Sequence, residues 1–173
     1  MAENMKFNTK AGETVARELL IAYLNTGTHE APVWSPVGKR VEDSSIEMDW
    51  SVESKVDIFG QTWTTGKKAT KTQTFEPCEL DAGDPAQELI WNLAIKENNV
   101  NALLNQDMLI VHFYAGQNFA ERYESCAVLP TGLGGEGGGS VGMPIDVTYG
   151  GKRTVGTASN DSGNITFTPE VSV

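Results

Sequence analysis

The strongest constraint on the fold is a two-residue alternation in residues 44–60, which read SSIEMDWSVESKVDIFG. Successive side chains of a β-strand point to opposite faces of a sheet. One parity of this segment is apolar: Ile46, Met48, Trp50, Val52, Val56 and Ile58. The other parity is charged and mainly acidic: Glu47, Asp49, Glu53, Lys55 and Asp57, with Ser51 among them. The pattern predicts one long strand whose apolar side packs on the core.

Further segments also have the patterns of strands. Residues 18–25 are a continuous apolar run beside a TGT turn, which is typical of a buried strand. Residues 107–116 are apolar on both parities and predict a central strand buried on both faces. Residues 119–130 alternate again, and the segments 143–158 and 164–173 predict closing strands around Gly-Gly and Asn-Asp turns.

Residues 61–75 are rich in threonine and polar on both parities. With TGKK near the middle, they predict a long hairpin over residues 56–76 whose tip lies around Gly66. A strand that is polar on both faces is weakly specified by its own chain. We therefore expect this hairpin to order against a partner.

A single helix is predicted over residues 84–98. Asp84 is a good N-cap, Pro85 suits the first helical position, and Gln87 is placed to close a capping box. Apolar residues then recur at helical spacing, so one side of the helix should lie on a sheet.

The whole pattern predicts a mainly β protein: an antiparallel β-sandwich or barrel with one flanking α-helix and a long polar hairpin. We expect a flexible N-terminal arm at 1–17, a single β-domain at 18–168 with a Gly-rich loop at 131–142, and a short C-terminal tail at 169–173.

Charge and composition exclude several classes of function. The net charge of −10 opposes binding to nucleic acid, which needs a basic patch to neutralise phosphates. The N-terminus lacks the apolar core of a signal peptide, and no apolar run is long enough to span a bilayer, so we expect a soluble protein without a membrane partner. Cys78 and Cys126 are expected to be buried reduced thiols, with one disulfide between them as the alternative.

No catalytic or metal-binding motif is found in the sequence. His29 and His112 have no second histidine or cysteine at ligand spacing, so we expect no metal and no cofactor. GGGSVG at 137–142 matches a nucleotide-binding pattern by letter, but a Gly-rich linker precedes it instead of a strand. We therefore do not expect an enzyme.

The order of these features resembles the major tail protein, or tail tube protein, of long-tailed phages and prophages. The resemblance covers roughly residues 15–160 and depends on LLIAYLNTGT, the passage PVWSPVGKRVEDSSIEMDWSVESKVDIFGQT, KTQTFEPCELDAGD, MLIVHFYAG and IDVTYGGKRTVGTA in that order. It implies a structural subunit of six-membered rings that stack into a tube through which genome DNA passes. It also implies contacts with tape measure, tail terminator and distal tail proteins, in the virion tail and, during assembly, in the host cytoplasm.

On this resemblance the acidic strand gains a role, because a conduit for DNA must repel phosphates instead of binding them. The residues expected to line the lumen are Glu47, Asp49, Glu53, Asp57 and Glu121. The alternative is that they lie on a solvated outer wall. The hairpin is expected to reach the next ring, and its candidate contact residues are Gly60, Trp63, Gly66, Lys67, Lys68 and Lys71.

Three alternatives remain open from the sequence. In the first, the chain forms the inner tube of a contractile tail or of a phage-tail-like bacteriocin. Alternatively, the chain is a glycan-binding or adhesion β-sandwich with Trp34, Trp50 and Trp63 as stacking platforms. The third, an enzyme using two carboxylates of the acidic strand, is disfavoured because a repeating acidic face offers them no unlike environments.

Overall fold

The computed structural model describes residues 4–171 of the chain. Within this range the chain forms eleven strands that pair antiparallel throughout, so the mainly β prediction is confirmed. The strands are β1 Leu20–Asn25, β2 Trp34–Pro36, β3 Ile46–Asp49, β4 Glu53–Val56, β5 Thr62–Thr65, β6 Thr70–Phe75, β7 Gln106–His112, β8 Phe119–Pro130, β9 Ile145–Tyr149, β10 Arg153–Asp161 and β11 Asn164–Pro169.

The long strand β8 joins two sheets. β7 pairs with one edge of β8, and beyond β7 the sheet continues through β1 to β2. On the other edge, the first half of β8 pairs with β10 and the second half with β9, which leads to β6 and β3. The two halves of β8 therefore belong to different parts of the sandwich.

β9 and β10 do not form a hairpin around Gly150 and Gly151, contrary to the sequence prediction. Both strands pair with β8, and the two glycines form a bend between them. Gly151 has φ +75°, and an added Cβ would lie 2.6 Å from Ser125 Cβ. Only glycine fits this bend without displacing β8. The predicted turn near Asn160 is confirmed, because β10 and β11 pair around residues 162–163.

Two cores lie on opposite faces of the central strands, and β7 contributes to both. Met108 and Ile110 belong to the first core, and Leu109 and Val111 to the second. All four side chains are fully buried, which confirms the prediction of a two-faced central strand. The first core also receives the helical segment, and the second is covered by Trp34, Ala158 and Ile165.

The predicted helix is present but is shorter and irregular. Helix α1 spans Pro85–Trp91, a π-helical turn follows at Asn92–Lys96, and a short helix α2 spans Val100–Leu103. Asp84 is the N-cap and accepts hydrogen bonds from the backbone N–H groups of Ala86 and Gln87. The Gln87 side chain accepts from the backbone N–H of Asp81, so it secures the approach to the helix instead of closing the capping box on Asp84. No helix within residues 4–171 is long and apolar enough to cross a membrane.

The hairpin differs from its prediction in both tip and extent. β3 and β4 form one arm, β5 and β6 form the other, and the turn lies at residues 57–61 instead of near Gly66. The Asp57 carboxylate accepts from the backbone N–H groups of Phe59 and Gln61, and these bonds stabilise the turn. The hairpin therefore spans residues 46–75, and the acidic strand predicted from the sequence is one of its arms.

The predicted long strand is broken at residues 50–52, where Ser51 has φ +47°. The two parts of the hairpin have different neighbours. The proximal hairpin (β3 and β6) joins the main sheet through β9, while β4 and β5 pair only with each other. Of the apolar parity, Ile46 packs against the core, but the side chains beyond it are exposed: Met48, Trp50, Val52, Val56 and Ile58. The prediction that this parity packs on the core is therefore wrong beyond Ile46.

Residues 6–8 of the N-terminal arm contact the turn after β7. Asn8 and Gly116 form backbone hydrogen bonds with Tyr114 and Lys6 respectively, and the Phe7 ring lies edge-on to Tyr114. The predicted arm includes residues 1–3 and the predicted tail includes residues 172–173, which lie outside the described residues. The Gly-rich segment 131–142 forms a loop that is closed by pairing of Gly134 with Gly142.

Candidate assembly surfaces

An acidic and hydroxyl-rich surface covers the outward side of β3, β6 and β9. Inward side chains of these strands include Phe75, Ile145 and Val147, so their neighbours in sequence point outward. We call the outward set the acidic face: Glu47, Asp49, Thr70, Thr72, Thr74, Asp146 and Thr148. The single basic residue on the three strands is Lys71, which has the inward parity. The acidic face therefore carries three carboxylates and no cation.

Two of the five predicted lumen residues, Glu47 and Asp49, lie on this face and are exposed. The structure adds Asp146, which the sequence analysis missed. Its carboxylate accepts a hydrogen bond of 2.9 Å from the Thr74 hydroxyl on the adjacent strand. The alternation IDVTY at 145–149 contained the signal, but nothing local indicates that β9 lies two strands from β3.

Glu121 is not available to line a conduit, because its side chain is buried. The residue is 2% exposed, and its carboxylate is hydrogen-bonded to four side chains: Lys71, His112, Arg153 and the Tyr123 hydroxyl. Lys71 Nζ lies 2.9 Å from Oε1, Arg153 Nη2 lies 2.7 Å from Oε1, and His112 Nε2 lies 2.9 Å from Oε2. Glu121 was expected on an exposed face, but the structure places it in a buried ion cluster.

Lys71 is corrected in the same way, because it belongs to this cluster and not to an exposed contact surface. Its ammonium group also lies 5.7 Å from the Tyr123 ring centroid. The cluster joins β6, β7, β8 and β10 through their side chains, so it ties the proximal hairpin to the main sheet. Removing the Glu121 carboxylate would leave the largely buried Lys71 ammonium group without its anionic partner.

Electrostatics favour the ionised form of Glu121. Burial alone would raise the pKa of this carboxyl group, but hydrogen bonds from His112, Lys71 and Arg153 outweigh burial and hold it well below its ordinary value. Burial partly opposes protonation of Lys71, yet its bonds to Glu121 and Tyr123 raise its pKa overall. Both partners are therefore charged over the physiological pH range.

Glu53 and Asp57 lie on the β4–β5 part of the hairpin. Glu53 is exposed and lies 3.9 Å from Lys55. The Asp57 carboxylate accepts hydrogen bonds from two backbone N–H groups and thereby stabilises the turn. Neither residue belongs to the acidic face, because the break at residues 50–52 separates them from β3.

A second candidate surface is the distal hairpin, defined here as residues 50–69. Five of the six predicted contact residues lie on it and are exposed: Gly60, Trp63, Gly66, Lys67 and Lys68. Its largest apolar side chains are also open to solvent, with Ile58 95% and Phe59 82% exposed. Exposed apolar groups in this number are typical of a protein contact surface.

The three tryptophans proposed as glycan platforms occupy different environments. Trp34 is 5% exposed and its ring lies 5.4 Å from the Arg122 guanidinium, so it is a core residue. Trp50 and Trp63 are exposed on the distal hairpin. The predicted set of three sugar-stacking rings is therefore not assembled.

Both cysteines are free and buried, in agreement with the prediction of reduced thiols. Burial raises the pKa of Cys126 to about 12, so its thiol is protonated at neutral pH and a poor nucleophile. His29 contacts the Arg122–Asp107 ion pair, and His112 belongs to the ion cluster. Within residues 4–171 no group of three or more His, Cys, Asp or Glu side chains is placed to hold a metal ion.

The fold is similar to those of two solved tube-terminating proteins. The chain is similar to the tube-terminating cap of the anti-feeding prophage, with a TM-score of 0.50 and 12% identity over 87% of this chain and 96% of that one. It is also similar to the sheath/tube terminator of an extracellular contractile injection system, PVC, with a TM-score of 0.51 and 9% identity over 84% and 99% of the two chains. At sequence identities this low, the structural similarity shows a shared fold alone.

Sequence comparisons do not extend this result. A scan against protein-family models finds no match for the chain. A search of curated proteins also finds no match.

Proposed function

We propose that this chain is a structural subunit of a phage-tail-like tube, in which copies form rings that surround a conduit. The observation that carries the proposal is the fold, which two tube-terminating proteins share over nearly their whole length. Both of these proteins terminate a tube. A structural instead of a catalytic role is therefore proposed for this chain as well.

The finer proposal is that the acidic face lines the conduit. Glu47, Asp49 and Asp146 project from one side of the sheet, and threonines separate them. Repeated around a ring, this face would present only negative charge and hydroxyl groups to the lumen. Such a wall repels the phosphates of passing DNA, while a basic wall would bind them through counterion release.

Further features of the proposal follow from the tail-tube reading. We propose six copies in each ring, stacked rings, and contacts with tape measure, terminator and distal tail proteins. The chain would be located in the tail of the particle, and assembly would take place in the cytoplasm of the infected host. The distal hairpin would contact the next ring, since its apolar side chains are exposed and β4 and β5 pair only with each other.

A second candidate is the terminator or cap of such a tube, because both structural neighbours are terminating proteins. A terminator ends growth and a tube subunit continues it, so the two roles differ in their products. Tube subunits form filaments through contacts that do not close, while a terminator forms one ring.

Electron microscopy of the purified protein over a concentration series separates these roles. We expect hollow tubes of uniform width, with or without co-expressed neighbouring tail proteins. Single rings that bind only to the ends of preformed tubes would replace the tube subunit with the terminator. Monomers under all of these conditions would contradict both.

A charge-reversal variant tests the acidic face. Glu47→Lys, Asp49→Lys and Asp146→Lys are combined, and the matched control reverses three exposed acids elsewhere, Glu13, Asp161 and Glu170. Both variants should fold and assemble, since all six side chains are solvated. Only the acidic-face variant should lose DNA ejection, by at least tenfold in infective titre. Equal titres for the two variants would place the acidic face outside the lumen.

A further inference from the structure

The distal hairpin has the opposite charge to the rest of the chain. Residues 50–69 contain three lysines, Lys55, Lys67 and Lys68, and two acids, Glu53 and Asp57. The segment therefore carries +1, and because the whole chain carries −10, the remainder carries −11. Lys67 and Lys68 form no ion pair within the described range. The positive charge of the distal hairpin is therefore complementary to the negative charge of the rest of the chain.

The exposed side of the helical segment is the complementary surface. Four apolar side chains are open to solvent there, Trp91, Ile95, Val100 and Leu104, and we call them the helix patch. Trp91 and Ile95 are four residues apart, as are Val100 and Leu104, and this spacing places side chains on one side of a helix. The backbone N–H of Asn99 donates to Leu93 O at 2.8 Å, which folds α2 back against the preceding turn.

Acidic residues outnumber basic ones in the segment that contains the helix patch. Residues 79–104 contain five acids and a single lysine, Lys96, so this segment carries −4. Two of the acids, Glu79 and Asp81, pair with Lys39 and Arg40. Glu97, between Ile95 and Val100, forms no ion pair within residues 4–171. The helix patch therefore combines apolar side chains with negative charge, and the distal hairpin combines them with positive charge.

The two surfaces do not bind each other within one chain. The hydrogen bonds recorded for residues 50–69 all stay inside the hairpin, to residues 49–70. β4 and β5 pair only with each other, so the distal hairpin extends away from the main sheet. The helix patch is left without a partner from its own distal hairpin.

We propose that the distal hairpin of one copy docks on the helix patch of a second copy. Apolar contact would involve Phe59 and Trp63 with Trp91 and Ile95, and Lys67 and Lys68 would approach Glu97. In the proposed ring, each copy docks its hairpin on one neighbour and receives the hairpin of another, so the contact is heterologous and generates a ring or a filament. This inference rests on the proposed function, since it names the surface through which the copies of the tube associate.

Photo-crosslinking of assembled particles tests the contact directly. Phe59 is replaced by benzoyl-phenylalanine, and isotopically labelled and unlabelled copies are mixed so that only crosslinks between copies are counted. We expect the probe to capture peptides from residues 85–104 of another copy. The same probe at Val33, which is exposed and remote in sequence from the hairpin, is the control and should not capture that segment.

The two ways of failing are distinguishable. Particles that assemble but crosslink from Phe59 to another segment would overturn this inference and leave the proposed function standing. A chain that assembles under no condition would overturn the proposed function, and the docking contact with it.

A charge exchange gives an independent measurement. Lys67→Glu with Lys68→Glu should raise the concentration needed for assembly at least tenfold, because like charges would then face each other. Adding Glu97→Lys should recover at least threefold of this loss, while Glu170→Lys, with the same charge change elsewhere, should not. Equal recovery by both added lysines would overturn the docking contact.

Discussion

The proximal and distal halves of the hairpin are continuous along both of its arms but lie in different environments. In the proximal half, Phe75 and Gln73 are buried, and Lys71 reaches the Glu121 cluster. In the distal half, the equivalent apolar positions are open to solvent. Alternation specifies that a strand has two unlike faces, but a neighbouring element is needed to bury one of them. The proximal half has β9 as that neighbour, and β4 and β5 have only each other.

A matched pair of phenylalanines gives the largest expected contrast between the halves. Phe75 is 3% exposed and Phe59 is 82% exposed. Phe75→Ala should lower the free energy of unfolding by about 3–5 kcal/mol, because it removes a ring from the first core. Phe59→Ala should change it by about 0.5 kcal/mol or less. Urea denaturation of the unassembled protein measures both, and similar losses would show that the distal half is part of the folded core.

Glu121→Gln tests whether the ion cluster holds the proximal half. The substitution leaves Lys71 and Arg153 without their anionic partner, so we expect a loss of about 3 kcal/mol in the free energy of unfolding. Glu53→Gln, which removes an exposed carboxylate of the distal half, should cost less than about 0.5 kcal/mol. A loss under 1 kcal/mol for Glu121→Gln would remove the cluster as the cause of the difference.

The same cluster predicts a specific response to acid. The pKa of Glu121 is lower in the folded chain than its ordinary value of 4.5. Its contribution to the free energy of unfolding is therefore present above pH 4.5 and is lost as the pH falls below that value. One such group changes stability by about 1.4 kcal/mol per pH unit, which is about 2 kcal/mol by pH 3. The wild type should therefore be steeper than Glu121→Gln between pH 4.5 and pH 3 in parallel urea titrations. Parallel curves for the two proteins would contradict this linkage.

Two glycines with the same φ angle give the smallest expected contrast. Gly151 and Gly60 both have φ +75°, but an added Cβ meets Ser125 at Gly151 and nothing within 4 Å at Gly60. Gly60→Ala should cost about 1 kcal/mol or less, since its strain is confined to an exposed turn. Gly151→Ala should cost about 1–2 kcal/mol more, because the clash lies in the bend that joins β9 to β10. Equal costs in urea denaturation would show that β8 yields to the added methyl group.

Much of the fold could be predicted from local patterns. The continuous apolar run of β7 required burial on both faces, and Asp84-Pro85 marked the helix start. The antiparallel, mainly β class followed from the number of alternating segments. These features depend on periodicity and capping, which are properties of short stretches of chain.

The candidate surfaces were only partly predictable. Glu47 and Asp49 were assigned correctly to an exposed side of the sheet, but Asp146 was missed because β9 lies far away in sequence. Glu121 and Lys71 were predicted to be exposed, since their own alternation has no signal for a counter-ion on a distant strand. The hairpin turn was placed near Gly66 because TGKK resembles a turn, while the Asp57 carboxylate stabilises a different one.

The sequence by itself determined the position of most strands, the start of the helix, and which residues of an alternating segment share a face. Those properties follow from the geometry of a single element. Tertiary structure decided which of the two faces is buried, which charges meet inside, and that the distal half of the hairpin stands free. Burial and ion pairing are set by contacts between residues far apart in the chain, and no local pattern records them.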